Sequence, residues 1–245
     1  MEEIGRSVVK RNQIEELYVS EDYLARNPTW DMEDSQWKAE RVAALLTDAG
    51  IRPGKICEVG CGAGKILAAL AAAYPQATLV GYDIAPAAAR FWTHVDVSHV
   101  KLNLGDFFVM DKDRYDVILL LDVLEHVADP HAFLNGLRGR SDYLVVHFPL
   151  DLSSLSVLWE TPLLRVRRKV GHIHYFTKSL ALELMNECGF EIIDHRFTGA
   201  AFSAPQATLK TRLAQIPRRL LAAVNRDFGA RLLGGETLMV LARAR

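Results

Sequence analysis

Between a short apolar run and an alanine-rich stretch the chain carries Glu58-Val59-Gly60-Cys61-Gly62-Ala63-Gly64-Lys65. Glycines at alternate positions let the backbone turn sharply and approach a ligand closely. A helix that starts where such a turn ends presents free amide donors, which suit a carboxylate or a phosphate. The turn alone is a weak signal, since any tight strand-to-helix connection needs glycine for geometry. Spacing discriminates further: the dinucleotide fingerprint G-x-G-x-x-G requires glycine where Lys65 stands, and Gly64 comes one position early. NAD binding is therefore disfavoured. Downstream, Asp83 in GYDIAP closes an apolar run, where a carboxylate can accept hydrogen bonds from both hydroxyls of a ribose. Four histidines, His126, His147, His172 and His174, follow or end such runs, and imidazole suits proton abstraction near neutral pH.

These residues act together only if a framework brings them to one edge. From Lys55 onward short apolar runs alternate with helical stretches, the pattern of a doubly wound α/β domain with helices on both faces of a parallel sheet. Strands are expected at 55–59, 78–82, 98–102, 116–121, 143–148, 190–197 and 236–243, and helices near 64–73, 86–93, 130–138 and 177–188. Residues 33–49 set Trp37, Val42, Leu45 and Leu46 close to one helical face, which Gly50 and Pro53 terminate. A helical cap or lid over 1–50 is expected to precede the main domain at 51–245. A basic, amphipathic insertion at 200–234, expected on the substrate side as part of the lid, breaks that domain before its last strand.

The 245 residues fit one such domain and bury a substantial core. Half the residues are apolar and the formal net charge is −1, which excludes a disordered chain or a dedicated nucleic-acid binder. Residues 1–162 carry 15 Lys/Arg against 24 Asp/Glu, and residues 163–245 carry 14 against 6, so −9 is followed by +8. Opposed faces on one soluble molecule account for this most simply, an anionic carrier or membrane surface at the basic half being the other account. Arg165, Arg167, Arg168 and Lys169, with Lys210, Arg212, Arg218, Arg219, Arg226 and Arg231, are expected on solvated helix faces. Cys57, Cys61 and Cys188 form no disulfide framework, and no apolar stretch has the length of an export signal or a membrane span. A cytoplasmic protein is expected.

The run E-x-G-C-G-x-G resembles the first motif of class I S-adenosylmethionine-dependent methyltransferases, and the likeness continues in register over roughly residues 33–197 and the last strand. It implies a mostly parallel seven-stranded sheet whose last strand enters antiparallel. It also implies S-adenosylmethionine as cofactor and S-adenosylhomocysteine as product. Glu58, Gly60, Cys61, Gly62 and Gly64 would form the cofactor loop, Asp83 with Ile84 the ribose contact, and Gly105, Asp106 and Phe107 the adenine contact. YDVILLLDVLEHVADP, residues 115–130, is similar to the fourth motif of the branch that includes ubiquinone-type and other small-molecule methyltransferases. There Asp122 and Val123 would border the methionine end of the cofactor. GHIHYFT at 171–177 is common in the same branch.

Methyl transfer from a sulfonium is an in-line displacement, so the enzyme must align the acceptor and, for a hydroxyl, remove its proton. The histidines are the candidates, each against a structural alternative: His126 as a loop anchor, His147 as a satisfied interior group, His172 and His174 as a loop latch. On an extended stretch the last two point the same way, with Tyr175 opposite. Tyr18, Tyr23 and Trp30 are expected in a lid or in its packing. Asp122, Glu125 and His126 also resemble the D/E-x-x-E-H arrangement proposed for a divalent metal in ubiquinone-type enzymes. Spacing alone does not separate a metal site from a hydrogen-bonded turn, and no metal is expected. The acceptor is expected to be an oxygen or nitrogen of a small molecule, such as a sugar, a glycan-linked or a natural-product intermediate, with oxygen favoured by the histidines. No N/D-P-P-Y/F tetrapeptide follows strand four, and a nucleic acid acceptor is not expected. A silent S-adenosylmethionine-binding partner protein is the first alternative, a nicotinamide oxidoreductase the second.

Overall fold

The computed structural model describes residues 13–95, 97–199 and 209–244. Residues 1–12 of the expected cap and 200–208 of the expected insertion lie outside the described residues, as do the side chains of Lys210 and Arg212. Three helices come first, α1 (Gln13–Val19), α2 (Asp22–Arg26) and α3 (Ser35–Asp48). Then β1 (Lys55–Val59), α4 (Lys65–Ala73), β2 (Thr78–Asp83), α5 (Pro86–Ala89), β3 (Val100–Leu104), α6 (Phe107–Met110) and β4 (Tyr115–Leu121) alternate. They are followed by α7 (Pro130–Leu137), β5 (Ser141–Leu150), α8 (Ser154–Trp159), α9 (Thr161–Val170), α10 (Lys178–Glu187) and β6 (Phe190–Phe197). The chain closes with α11 (Leu209–Val224), α12 (Arg226–Leu233) and β7 (Glu236–Ala244).

The seven strands form one sheet in the order β3-β2-β1-β4-β5-β7-β6. β7 runs antiparallel to both its neighbours and the other pairings are parallel, as the resemblance implied. Alternation along the central strands sends side chains to two cores. Cys57, Val59, Ile118, Leu120, Val146 and Phe148 pack on one face with Leu134, Leu137, Ala181 and Leu184 of α7 and α10. Ile56, Val117, Leu119, Leu121 and Val145 pack on the other with Val42, Leu45, Leu46, Leu67 and Leu70 of α3 and α4. Each fully buried aliphatic side chain contributes about 1.5–3 kcal/mol relative to exposure. β4 supplies five of them in succession, Val117 to Leu121, which explains why a continuous apolar run sits at the centre. The chain winds from β1 outward to β3, then crosses to β4 on the other side of β1. Such a switch point leaves a crevice at the carboxyl ends of the two inner strands.

Three local expectations are corrected. β3 begins at Val100 rather than 98, because it is an edge strand held only by β2 and its half-exposed side chains carry little periodicity. The helix expected over 86–93 stops at Ala89, and a 3-10 turn at Trp92–His94 follows. There the Trp92 Nε1–H donates to the Gly62 carbonyl at 2.9 Å, a tertiary bond that a continuing helix would forfeit. The region 154–170, for which no helix bounds were expected although its basic residues were placed on a solvated helix face, forms α8 and α9. Its signals were present: Ser153 and Ser156 make a capping box, and Pro162 occupies the first turn of α9. Among the described residues no helix is long and apolar enough to cross a membrane.

Candidate functional site

A cavity of about 870 Å³ opens at the carboxyl ends of β1, β2 and β4, within the usual size of small-molecule sites. Of the residues singled out from sequence, Glu58, Gly60, Cys61, Gly62, Asp83, Ile84, Gly105, Asp106, Phe107, Asp122, Val123, His126, His147 and His172 line it. Gly64 and His174 do not. Gly64 stands at the start of α4 in the left-handed region and packs toward Leu102, and the His174 Nε2–H donates to the Val127 carbonyl at 2.9 Å. The opposite wall comes from the N-terminal helices and the loop between them, through Tyr18, Tyr23, Trp30, Trp37 and Lys38. α11 and α12 contribute no described residue to the lining; α12 packs on α8.

The glycine loop is braced on β2. Gly60 and Cys61 amides donate to the Tyr82 carbonyl at 2.8 and 3.1 Å. Asp83 accepts from the Gly62 amide at 2.7 Å and the Ala85 amide at 2.8 Å. Burial pushes the Asp83 carboxyl up from its ordinary pKa, and these amide donors pull against that shift. Gly60 has φ +78°, and a Cβ there would lie 2.7 Å from Val123 Cγ2. Gly62 has φ +51°, and its Cβ would meet the Trp30 ring at 3.0 Å. Both glycines therefore serve close approach as well as the turn. Asp106 caps α6, accepting from the Phe108 amide at 2.7 Å, and Phe107 behind it is buried. Glu58 is buried to 1% exposure, its Oε2 has no hydrogen-bond partner, and burial raises its pKa well above the carboxylate range.

Asp122 leaves β4 with φ +57°, an unusual backbone for a non-glycine residue that turns it into the cleft. Lys38 Nζ stands 2.7 Å from one of its oxygens and His147 Nδ1 2.6 Å from the other. Burial opposes ionisation, yet His147 and Lys38 outweigh it and hold the carboxyl well below its usual range. His147 is 1% exposed, and its Nε2 bonds the Thr198 hydroxyl at 2.9 Å, which in turn bonds Thr237. Both ring nitrogens are engaged, so this histidine orients Asp122 and leaves neither nitrogen for an acceptor. Lys38 was missed from sequence although a signal existed. It falls on the apolar stripe of α3 with Ser35, Ala39, Val42, Leu45 and Leu46, and a lysine on such a stripe announces a buried partner.

The remaining histidines meet around Glu125. The Glu125 carbonyl accepts from the Ile173 amide at 2.8 Å and the His174 amide at 3.1 Å, which pins GHIHYFT to the turn after β4. Its side chain is fully buried and neither carboxylate oxygen has a hydrogen-bond partner. His126 Nε2 and His172 Nε2 lie 3.8 and 3.9 Å from Glu125 Oε1. His126 Nδ1 is 2.7 Å from the Tyr18 hydroxyl, and His172 Nδ1 is 2.7 Å from Asp151 Oδ2. Burial pushes the His126 ring down to about 3, so it is neutral at physiological pH.

Residues 33–195 match the family model described as a methyltransferase domain. The chain belongs to that family. Among curated proteins it is similar to the ubiquinone biosynthesis O-methyltransferase of Cereibacter sphaeroides, with 33% identity over 104 residues, covering 40% of this chain and 39% of the relative. The enzyme of the same name from Glaesserella parasuis is 27% identical over 100 residues, covering 37% of this chain and 42% of the relative. The matched regions thus span about two-fifths of these curated relatives. Among solved structures, the N-methyltransferase NodS from Bradyrhizobium japonicum in complex with S-adenosyl-L-homocysteine has a TM-score of 0.59 at 15% identity, covering 95% of this chain and 99% of its own. The magnesium protoporphyrin IX methyltransferase from Synechocystis has a TM-score of 0.56 at 19% identity, covering 86% and 83%. The fold of this methyltransferase-domain protein is the class I fold, and its cofactor is that of the class, S-adenosylmethionine.

Proposed function

We propose that this protein transfers a methyl group from S-adenosylmethionine to an oxygen, or less favourably a nitrogen, of a small molecule such as a sugar, a glycan-linked or a natural-product intermediate. One observation carries the reading. A single cavity joins the glycine loop, Asp83 and Asp106 to a second half walled by Tyr18, Trp37, His126 and His172. The first half fits the cofactor: Gly60 and Gly62 keep the loop backbone bare at the cavity wall, where a Cβ would strike Val123 or Trp30. Asp83 stands at the end of β2 for the ribose, Ile84 is exposed enough at 38% to lie on a flat ring, and Glu58 Oε2 lacks a donor that a cationic amine supplies. When bound, the cofactor supplies an electrophilic sulfonium methyl group. The chain's own residues orient the acceptor oxygen in line with it and take up the hydroxyl proton. His126 and His172 are the cavity imidazoles assigned to that role, their Nε2 atoms standing 3.8 and 3.9 Å from Glu125 Oε1. Oxygen is favoured because a hydroxyl needs that proton removed, whereas an amine needs positioning alone.

We assign the lid to α1–α3, whose aromatic residues close the cavity opposite the sheet edge, and a cytoplasmic setting, with which the buried free thiols Cys57, Cys61 and Cys188 agree. The test has two arms. Calorimetric titration with S-adenosylhomocysteine and with NAD separates a methyltransferase from an oxidoreductase. Methyl transfer from labelled S-adenosylmethionine to a panel of hydroxylated and amino acceptors then separates an enzyme from a silent binding partner. Tight cofactor binding without transfer to any acceptor class would leave only the silent partner standing.

A further inference from the structure

The cavity holds more acid than the cofactor can use. Among the described residues seven carboxyl side chains line it against two ammonium groups, those of Lys38 and Lys65. Lys38 Nζ is taken by Asp122 at 2.7 Å, and Lys65 Nζ donates to the His94 carbonyl at 3.2 Å. Asp83 and Asp106 accept backbone amides at the cofactor's edge, and Glu58 is matched to the cofactor's amine. S-adenosylmethionine itself brings one ammonium, one sulfonium and one carboxylate. Asp31, Asp34 and Glu125 are left over.

Two of these belong to the lid. Trp30 and Asp31 both hold φ +51°, a backbone that non-glycine residues seldom adopt, and both line the cavity. Asp31 Oδ2 accepts from the Asn27 side-chain amide at 2.6 Å. Asp34 stands at the N-cap of α3 yet accepts no capping hydrogen bond, and Lys38, one turn later, goes to Asp122 instead. Burial raises the Asp34 pKa; Lys38 pulls against that shift, and the charges of Asp31 and Asp122 add to it. Beside these acids the rings of Tyr18, Tyr23 and Trp30 form one wall, with successive centroids 4.8 and 4.6 Å apart. Glu125 belongs to the same corner. Burial first, and then the charges of Tyr23, Glu125, Asp83 and Asp31, hold the Tyr18 hydroxyl protonated, so Glu125 and Asp31 are both near that ring. Glu125 is fully buried, lines the cavity and has no hydrogen-bond partner on either oxygen. A buried polar group of this kind calls for a ligand that completes it.

We propose that the methyl acceptor carries a protonated amine, bound by Asp31, Asp34 and Glu125 against the aromatic wall of the lid. The two lid carboxylates supply the counter-charge, and the rings attract a cation through their quadrupoles. Glu125 offers a carbonyl oxygen to an N–H of the ligand whether or not its carboxyl is protonated. An ammonium has no lone pair, so the anchored nitrogen is not the atom methylated, and the nucleophile is a hydroxyl elsewhere on the same molecule. The substrate class is therefore the hydroxylated amines, amino sugars among them. Calling this ligand an acceptor rests on the methyl-transfer reading, whereas the binding of an ammonium group does not.

The experiment is a calorimetric titration of the full-length protein, saturated with S-adenosylhomocysteine, with benzylamine, protonated at neutral pH, and with benzyl alcohol as its uncharged match. The amine should bind at least roughly 10-fold more tightly. Asp34→Asn breaks no capping bond of the free protein. It should melt close to wild type and weaken amine binding by about 10-fold, and adding Asp31→Asn should erase the preference for the amine. Equal binding of amine and alcohol by the wild type would overturn the subsite. So would an Asp34→Asn protein that binds S-adenosylmethionine more weakly but S-adenosylhomocysteine and benzylamine as before, since the acid would then serve the sulfonium. In labelled methyl transfer, amino sugars should react faster than their N-acetyl forms, and methyl found on the amine nitrogen would refute the anchoring role. Amine binding without transfer to any acceptor would support the subsite and count against the methyl-transfer reading alone.

Discussion

Gly60→Ala tests how the cofactor loop is held against the turn after β4. At φ +78° an alanine pays about 1–2 kcal/mol for the left-handed backbone. Its Cβ would also stand 2.7 Å from Val123 Cγ2, well inside ordinary contact. Valine is stiff at χ1 and cannot swing aside cheaply, so overpacking adds about 1–3 kcal/mol. The sum, about 2–5 kcal/mol, is a large part of the stability of an ordinary domain. Val123→Ala removes both methyl groups and leaves only its own Cβ, at 3.8 Å, in ordinary contact. The double variant should therefore recover the steric part and keep the backbone part. Urea unfolding of the four ligand-free proteins gives the coupling energy, expected at about 1–3 kcal/mol in favour of the pair. S-adenosylhomocysteine affinity should drop in Gly60→Ala and partly return with Val123→Ala, because the same contact sets the loop's position. A single variant within about 0.5 kcal/mol of wild type, or a coupling energy near zero, would refute the steric argument and with it the claim that loop and turn are mutually fitted.

Two further outcomes follow from the carboxylates. Asp83→Asn offers one acceptor oxygen where two are used, and its amide nitrogen faces the Gly62 or Ala85 amide. S-adenosylhomocysteine should bind roughly 10–100-fold more weakly by calorimetry, the loss of one or two hydrogen bonds to a charged group, and unchanged affinity would remove Asp83 from the site. Glu58 behaves oppositely toward stability. Burial raises its pKa in the folded state, so the fold holds this proton more tightly than the unfolded chain does. Its contribution is most favourable at low pH and turns into a penalty as pH rises above the unfolded value of about 4.3. Glu58→Gln should therefore melt higher than wild type at neutral pH without ligand, and the difference should vanish near pH 4. A lower melting temperature at neutral pH would mean that Glu58 has a partner in the free protein.

The sheet was readable because its strands are long apolar runs whose period and punctuation are local. β4 is the clearest case: seven residues, all but Asp116 buried, followed by the D-V-L-E-H turn. What failed were elements whose conformation depends on a distant partner. The edge strand β3 has one neighbour, and the segment after α5 gives up its helix for the bond from Trp92 to Gly62. In the site, the glycine loop and its aspartates could be placed because their spacing relative to strand ends is itself local information.

The histidines could not be ranked from sequence, for a reason the geometry makes plain. His147 lies within a buried strand and His172 sits on an exposed-looking loop, which by position alone favours neither as a base. Their roles are set by groups far along the chain. Thr198 and Asp122 occupy both nitrogens of His147, while Asp151 takes only Nδ1 of His172 and leaves Nε2 turned to Glu125. Tyr18 does the same for His126 from 108 residues away. A histidine's chemistry is therefore a property of its second nitrogen's partner, and in this protein each such partner lies on a different element from the ring it controls. Lys38 shows the complementary case. Its partner Asp122 is equally distant, but a lysine on the buried stripe of α3 demands a counter-charge whatever the fold, and that demand was visible before any contact was known.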